Sequence, residues 1–178
     1  MIRKKNFPYF FLLFFMGSIL CYSQNAIKVS FHQDLKLMAF GDNLGNRAGT
    51  IDIITRLEYE SKEKKLGFFV FGLEYERALI AKGYTRYGAI FGYTFNNQLS
   101  DPKLYLTPAI GIGNIARDDN NTLSFSGSLQ LAYKLGNRIK LSSIVQFTER
   151  TDLEKMYGKK EIRFSLFFGL EINLFKIK

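Results

Sequence analysis

The residues in this 178-residue chain whose types and spacing could do chemistry are few, and they converge on one short segment. Ser30 and the only histidine, His32, stand two positions apart, so on an extended strand both side chains point to the same side. With an acid such as Glu58 from elsewhere in the chain, they have the makings of a nucleophile, a base and an orienting carboxylate. The competing reading, which a lone histidine favours, is a hydrogen-bonded structural residue. Metal-ligand Cys and His sets and Gly-rich phosphate loops are absent. The clusters Asp42, Asn43, Asn46 and Asp118, Asp119, Asn120, Asn121 offer oxygen ligands, but neither has the spacing of a calcium loop and both read as Asx-rich turns. No metal and no cofactor is expected.

These residues need elements to position them, and the N-terminus says where the elements form. Arg3, Lys4 and Lys5 precede an apolar run from Phe7 to Leu20, broken only by Pro8, Gly17 and Ser18 and followed by Cys21 and Ser23. A basic segment, an apolar stretch too short to span a bilayer and small residues after it describe a secretory signal over 1–23, leaving 24–178 as one domain. A lipid-modified Cys21 is the alternative, but Leu20 stands where lipoprotein signals carry a small residue. Cleavage removes the single cysteine and three of the 25 Lys and Arg but none of the 16 acids, so the net charge falls from +9 to +6. Disulfide and thiolate chemistry are then excluded, and without a basic stripe the charge does not argue for nucleic acid.

After residue 24 no run approaches the roughly 20 apolar residues of a transmembrane helix, so any crossing must be made by strands. Period-two alternation recurs along the chain. It is clearest over 161–175, where Ile162, Phe164, Leu166, Phe168, Leu170, Ile172 and Leu174 all share one face. Similar strands are predicted over 26–40, 50–60, 66–78, 84–95, 104–117, 122–135 and 139–151, with a bulge expected at Pro108, which cannot donate to a ladder. The apolar face has almost no formal charge, whereas the other collects Gly, Ser and the charged residues. A soluble lipocalin would turn the apolar face inward. The uncharged apolar face, the small residues opposite it and the absence of Trp favour a bilayer outside.

The last strand fits a second pattern. Gly169 is followed by Ile172, Leu174 and the aromatic Phe175, which resembles the C-terminal signal read by the barrel-assembly machinery, although Lys176, Ile177 and Lys178 extend past the aromatic. The chain resembles the small eight-stranded outer-membrane β-barrel proteins of Gram-negative bacteria. That resemblance implies an all-β, eight-stranded antiparallel up-and-down transmembrane barrel with its N-terminus in the periplasm, so that 41–49, 79–83, 117–121 and 152–160 face outward. It also implies outer-membrane lipid and lipopolysaccharide as surroundings.

The expected lumen collects Lys28, Asp34, Lys36, Asp52, Arg56, Glu58, Glu74, Glu76, Arg86, Lys134, Lys140, Arg150, Arg163 and Glu171. Charges in a narrow interior must be paired, so structural salt bridges are expected, with a proton or ion path as the alternative. Outer-membrane lipid A deacylases are also small barrels with a Ser and His on one strand and a nearby acid. Here the order is Ser-x-His, the pair falls on the first strand, and no acyl groove is evident. The expected function is a structural or surface-interaction barrel without an open pore, monomeric and not an enzyme. A lipid-modifying enzyme and a component of an envelope secretion or conjugation assembly are the alternatives.

Overall fold

The computed structural model describes residues 25–42, 46–80, 83–96, 101–158 and 161–177. The expected signal over 1–23, and Asn43, lie outside these. Eight strands follow in chain order: β1 (Asn25–Asp34), β2 (Asp52–Glu60), β3 (Gly67–Ala78), β4 (Tyr84–Phe95), β5 (Leu104–Arg117), β6 (Asn120–Lys134), β7 (Ile139–Glu149) and β8 (Ile162–Ile177). Each pairs antiparallel with the next, and β8 pairs with β1, closing an up-and-down barrel. Closure leaves no unpaired sheet edge, the condition a strand must meet in hydrocarbon.

Alternation translates directly into two surfaces. The outer face is aliphatic and aromatic, with Leu57, Phe71, Leu73, Ile110, Phe125, Leu131 and Leu170 all exposed. Among the described side chains of the strands, the only charged outward positions are Arg77 and Glu149, both at strand ends. Inward positions are buried and mostly polar. A cluster of Ile54, Ile144 and Phe167 nevertheless lies within the lumen, so the filling is not polar throughout.

Three local expectations are corrected. Strand β1 stops at Asp34, whose carboxylate accepts a hydrogen bond from the Leu37 amide at 3.1 Å and caps a short helix, α1 (Leu35–Ala39). Lys36 therefore sits exposed on that helix, outside the lumen. The segment LKLMA alternates well enough to continue a strand, but the cap and the burial of Leu37 against Ala78, Ile80, Tyr84 and Ile115 make the turn of helix the better arrangement. Likewise 151–157 forms α2 (Thr151–Tyr157), ended by Gly158 at φ +67°, whose amide donates to the Glu154 carbonyl at 2.8 Å.

Pro108 makes no bulge. The β4–β5 register is the same on both sides of it, from Gly92↔Ala109 to Phe95↔Leu106, with only the ladder interrupted. The Thr94 and Thr107 hydroxyls meet across that gap at 2.8 Å and supply a side-chain bond where the backbone donor is missing. The register shift occurs instead in the β1–β8 pairing, between Ile27↔Phe175 and Lys28↔Asn173, where Leu174 is the extra residue.

Gly169 belongs to the expected assembly signal, and the fold gives it a separate steric role. It pairs with His32 on one side and Ser142 on the other, and a Cβ there would lie 1.9 Å from the Phe31 carbonyl oxygen. Gly169→Ala should therefore disturb the β1–β8 closure, reducing the folded, heat-modifiable band on cold gel electrophoresis. Gly127→Ala should leave it unchanged, since nothing lies within 4 Å of a Cβ at that position.

Candidate functional site

Among the described residues, chemistry-bearing side chains gather in the polar lumen, three groups lying along its length. Near the end where β1 starts and β8 finishes, the Lys28 ammonium lies 3.0 Å from Glu58, 3.0 Å from Glu171 and 3.4 Å from Glu60, with Lys140 3.5 Å from Glu60. Farther in, the Glu74 carboxylate sits between two guanidiniums: Arg56 at 2.6 Å and Arg86 in closer contact. Gln146 donates to the same carboxylate at 3.1 Å, and Gln130 accepts from Arg56 at 3.1 Å and donates to Glu171. Toward the helical end, Arg163 reaches Asp34 at 3.3 Å and Glu76 at 3.2 Å, and also bonds Asp52 and the Tyr84 hydroxyl.

The period-two pattern explains why these residues meet. Inward side chains from eight strands project into an interior about wide enough to be filled by them. Long ones must then interdigitate across it. Glu74 on β3 is reached by Gln146 on β7, and Arg163 on β8 reaches β2 and β3.

A fourth group caps the helical end. Arg150 makes a two-point contact with Asp152 at 2.8 Å through both nitrogens, Arg117 approaches the same carboxylate at 3.2 Å, and the Tyr84 ring lies 4.3 Å from Arg150. Asp152 is on α2, so this group ties the helix to the barrel mouth. Burial works against the Asp152 charge, but the Arg150 hydrogen bonds and the Arg150 and Arg117 charges outweigh it and hold its carboxyl below the usual aspartate range. A cavity of about 270 Å³ lies at the same end, bounded by α1, α2 and the start of β8 and lined by Asp34, Lys36, Leu37, Arg150, Ile162 and Arg163.

The structure does not assemble Ser30, His32 and Glu58 into one set. All three face inward and are buried. Glu58, however, pairs with Lys28, and the Ser30 hydroxyl has no hydrogen-bond partner among the described residues. His32 Nε2 lies 2.7 Å from the Ser142 hydroxyl, across the side-chain-free position of Gly169 on the strand between them. Its Nδ1 has no partner among the described residues, so nothing orients the ring as a base. Gln130, Ser142, Gln146 and Glu60 lie on the polar face that alternation assigns to the inside, and Tyr84, Arg117 and Asp152 join the polar interior with no such signal in the sequence. Parity alone cannot say which partners any of them choose.

A closed eight-stranded antiparallel barrel with an apolar outside and a polar, ion-paired inside is the fold of small outer-membrane barrel proteins. No protein-family model matches the chain. No curated protein matches it either. Among solved structures it is similar to the outer membrane protein Ail of Yersinia pestis in a phospholipid bilayer nanodisc, with TM-score 0.53 and 10% identity over 86% of this chain and 100% of that one. It is also similar to Neisserial surface protein A, with TM-score 0.52 and 12% identity over 85% of this chain and 98% of that one. The likeness is one of fold.

Removing the Glu74 charge tests the network directly. Glu74→Gln leaves Arg56 and Arg86 buried without the carboxylate they share and should lower unfolding stability by about 3–5 kcal/mol, measured by urea titration in detergent. Lys36→Gln, at an exposed position, should change it by no more than about 0.5 kcal/mol.

Proposed function

We propose that this chain is a small outer-membrane barrel with a structural or surface-interaction role and no open pore, exported by a cleaved signal and acting as a monomer. The observation that carries the reading is the state of the lumen. Its charged side chains span it in ion pairs, and Ile54, Ile144 and Phe167 fill space between them. Such an interior gives rigidity and little conductance. Interaction then falls to the ends and to the lipid-facing wall, with outer-membrane lipid and lipopolysaccharide as the surroundings and the barrel-assembly machinery as the partner in insertion. Similarity to a protein named as a Neisserial surface protein fits this role.

A lipid-modifying enzyme is the second reading, and the His32–Ser142 contact is the observation in its favour. Against it stand the burial of both residues, the lack of an orienting acid on Nδ1 among the described residues, and the ion pair that holds Glu58. An envelope-assembly component has no comparable support.

Planar-bilayer recording on the purified protein tests the first reading: it should show no steady single-channel steps, and large steps would overturn it. Purification with lipid A tests the second. Acyl chains should remain intact with the wild type, and a deacylation that His32→Ala abolishes would move the assignment to an enzyme.

A further inference from the structure

The two ends of the barrel differ in charge. The end that carries the start of β1 and the end of β8 also holds the connections 61–66, 96–103 and 135–138. Among the described residues it presents Lys62, Lys64, Lys65, Lys103, Lys134 and Arg138 against Glu63 and Asp101, with Lys134 half-buried and the other five cations exposed. Counted in the same way, the helical end presents five half-buried or exposed Lys and Arg (Lys36, Arg47, Arg77, Lys155 and Arg163) against six half-buried or exposed acids. Lys82, Lys159, Lys160 and Lys178 lie outside the described residues.

Within the basic rim, Lys64 is placed against a layer of aromatic rings. Lys64 is held in a tight turn, with its amide donating to the Gly67 carbonyl at 2.8 Å and its carbonyl accepting from the Gly67 amide at 3.2 Å. Its ammonium lies 5.9 Å from the centroid of the Phe69 ring, which stacks on Phe91 at 5.8 Å and meets Tyr93 edge-on at 5.0 Å. Tyr93 in turn meets Phe95 at 5.0 Å. Aromatic rings of this kind mark the headgroup boundary of a membrane barrel. Lys64 sits beside this aromatic layer, which puts its ammonium next to the boundary where lipid phosphates lie. The two acids of the rim are engaged locally: Glu63 accepts from the Asn96 amide, and Asp101 accepts from the Lys103 backbone amide at 2.8 Å.

We infer that this basic collar is an anionic-phospholipid binding surface, which recognises the phosphodiester headgroups of the leaflet at the terminus-bearing end through Lys62, Lys64, Lys103 and their neighbours. The inference rests on the membrane-barrel reading above. With the N-terminus in the periplasm, the collar meets the inner, phospholipid leaflet, so the phosphate comes from glycerophospholipid and not from lipopolysaccharide. Each cation near a charged surface adds to the attraction, and salt should screen it.

The test uses the full barrel reconstituted in phosphatidylcholine vesicles containing a trace of spin-labelled phosphatidylglycerol or spin-labelled phosphatidylcholine. The fraction of motionally restricted lipid is then read by electron paramagnetic resonance. The wild type should restrict phosphatidylglycerol about three- to fivefold more strongly than phosphatidylcholine at low salt, and the preference should fall toward unity at about 1 M salt. The triple variant Lys62→Glu, Lys64→Glu, Lys103→Glu should lose the preference, whereas Arg47→Glu, Arg77→Glu, Lys155→Glu at the helical end should keep it. Circular dichroism and heat-modifiable gel mobility check that each variant is folded, and the salt series on the wild type stands independently of them. Equal restriction of the two lipids, or loss of preference only with the helical-end variant, overturns the collar. So does displacement of the labelled lipid by lipopolysaccharide more readily than by unlabelled phosphatidylglycerol. No restricted component of either lipid would overturn the membrane barrel itself, so the two failures are distinct.

Discussion

The structure depends on the requirement that a charge inside a narrow, closed barrel find its partner on another strand. An ionised group removed from water without a partner costs several kcal/mol, and a lumen filled by its own side chains has little room for solvent. Glu74 shows the consequence. Its carboxylate holds Arg56 from β2 and Arg86 from β4 and takes a hydrogen bond from Gln146 on β7. Arg163 does the same for β1, β2 and β3 through Asp34, Asp52 and Glu76. These pairs do not show that ionic filling is more stable than an apolar core would be. They fix which strands face which, because a slip of one residue would turn every paired charge toward lipid.

Much of this was legible in the sequence because period two is a strong signal when the two faces differ so sharply. Strands β2 to β8 fall within a few residues of their predicted spans, and Ile162, Phe164, Leu166, Phe168, Leu170, Ile172 and Leu174, which alternation put on one face, are all exposed on the outside. The misreadings occur where alternation is compatible with something else. LKLMA continues the apolar spacing of β1, yet Asp34 caps a helix there, a choice made by one side chain and by the pocket that receives Leu37. That pocket is built from β3, β4, β5 and the segment after β3, and no local window contains it. At Pro108 the missing donor was correctly anticipated, but a hydroxyl pair between Thr94 and Thr107 spans the gap without any change of register.

The candidate site was legible in its members and not in its pairings. Inward parity places Ser30, His32 and Glu58 in the lumen, but parity fixes only the face of each strand. Which residues meet depends on the stagger between strands and on side-chain volume at intervening positions. His32 turns to Ser142, two strands away around the barrel, because Gly169 between them contributes no side chain. Glu58 turns to Lys28 on the neighbouring strand, which removes the acid a catalytic set would need. A sequence motif two residues apart on a strand thus specifies a shared direction and leaves the contact undetermined.

An interior engaged in holding itself together cannot easily serve a ligand, since any group that entered would have to replace paired charges. What is left for interaction is the surface, and there the chain is strongly differentiated. The wall is apolar and nearly uncharged along the strands, one end is folded over by α1 and α2, and the other carries a lysine-rich rim beside a layer of aromatic rings. Electrostatics therefore works in opposite ways inside and out. In the lumen opposite charges neutralise one another at short range, and at the rim like charges accumulate where water and lipid phosphate can receive them. The same alternation that hides the first set leaves the turns between strands free to display the second.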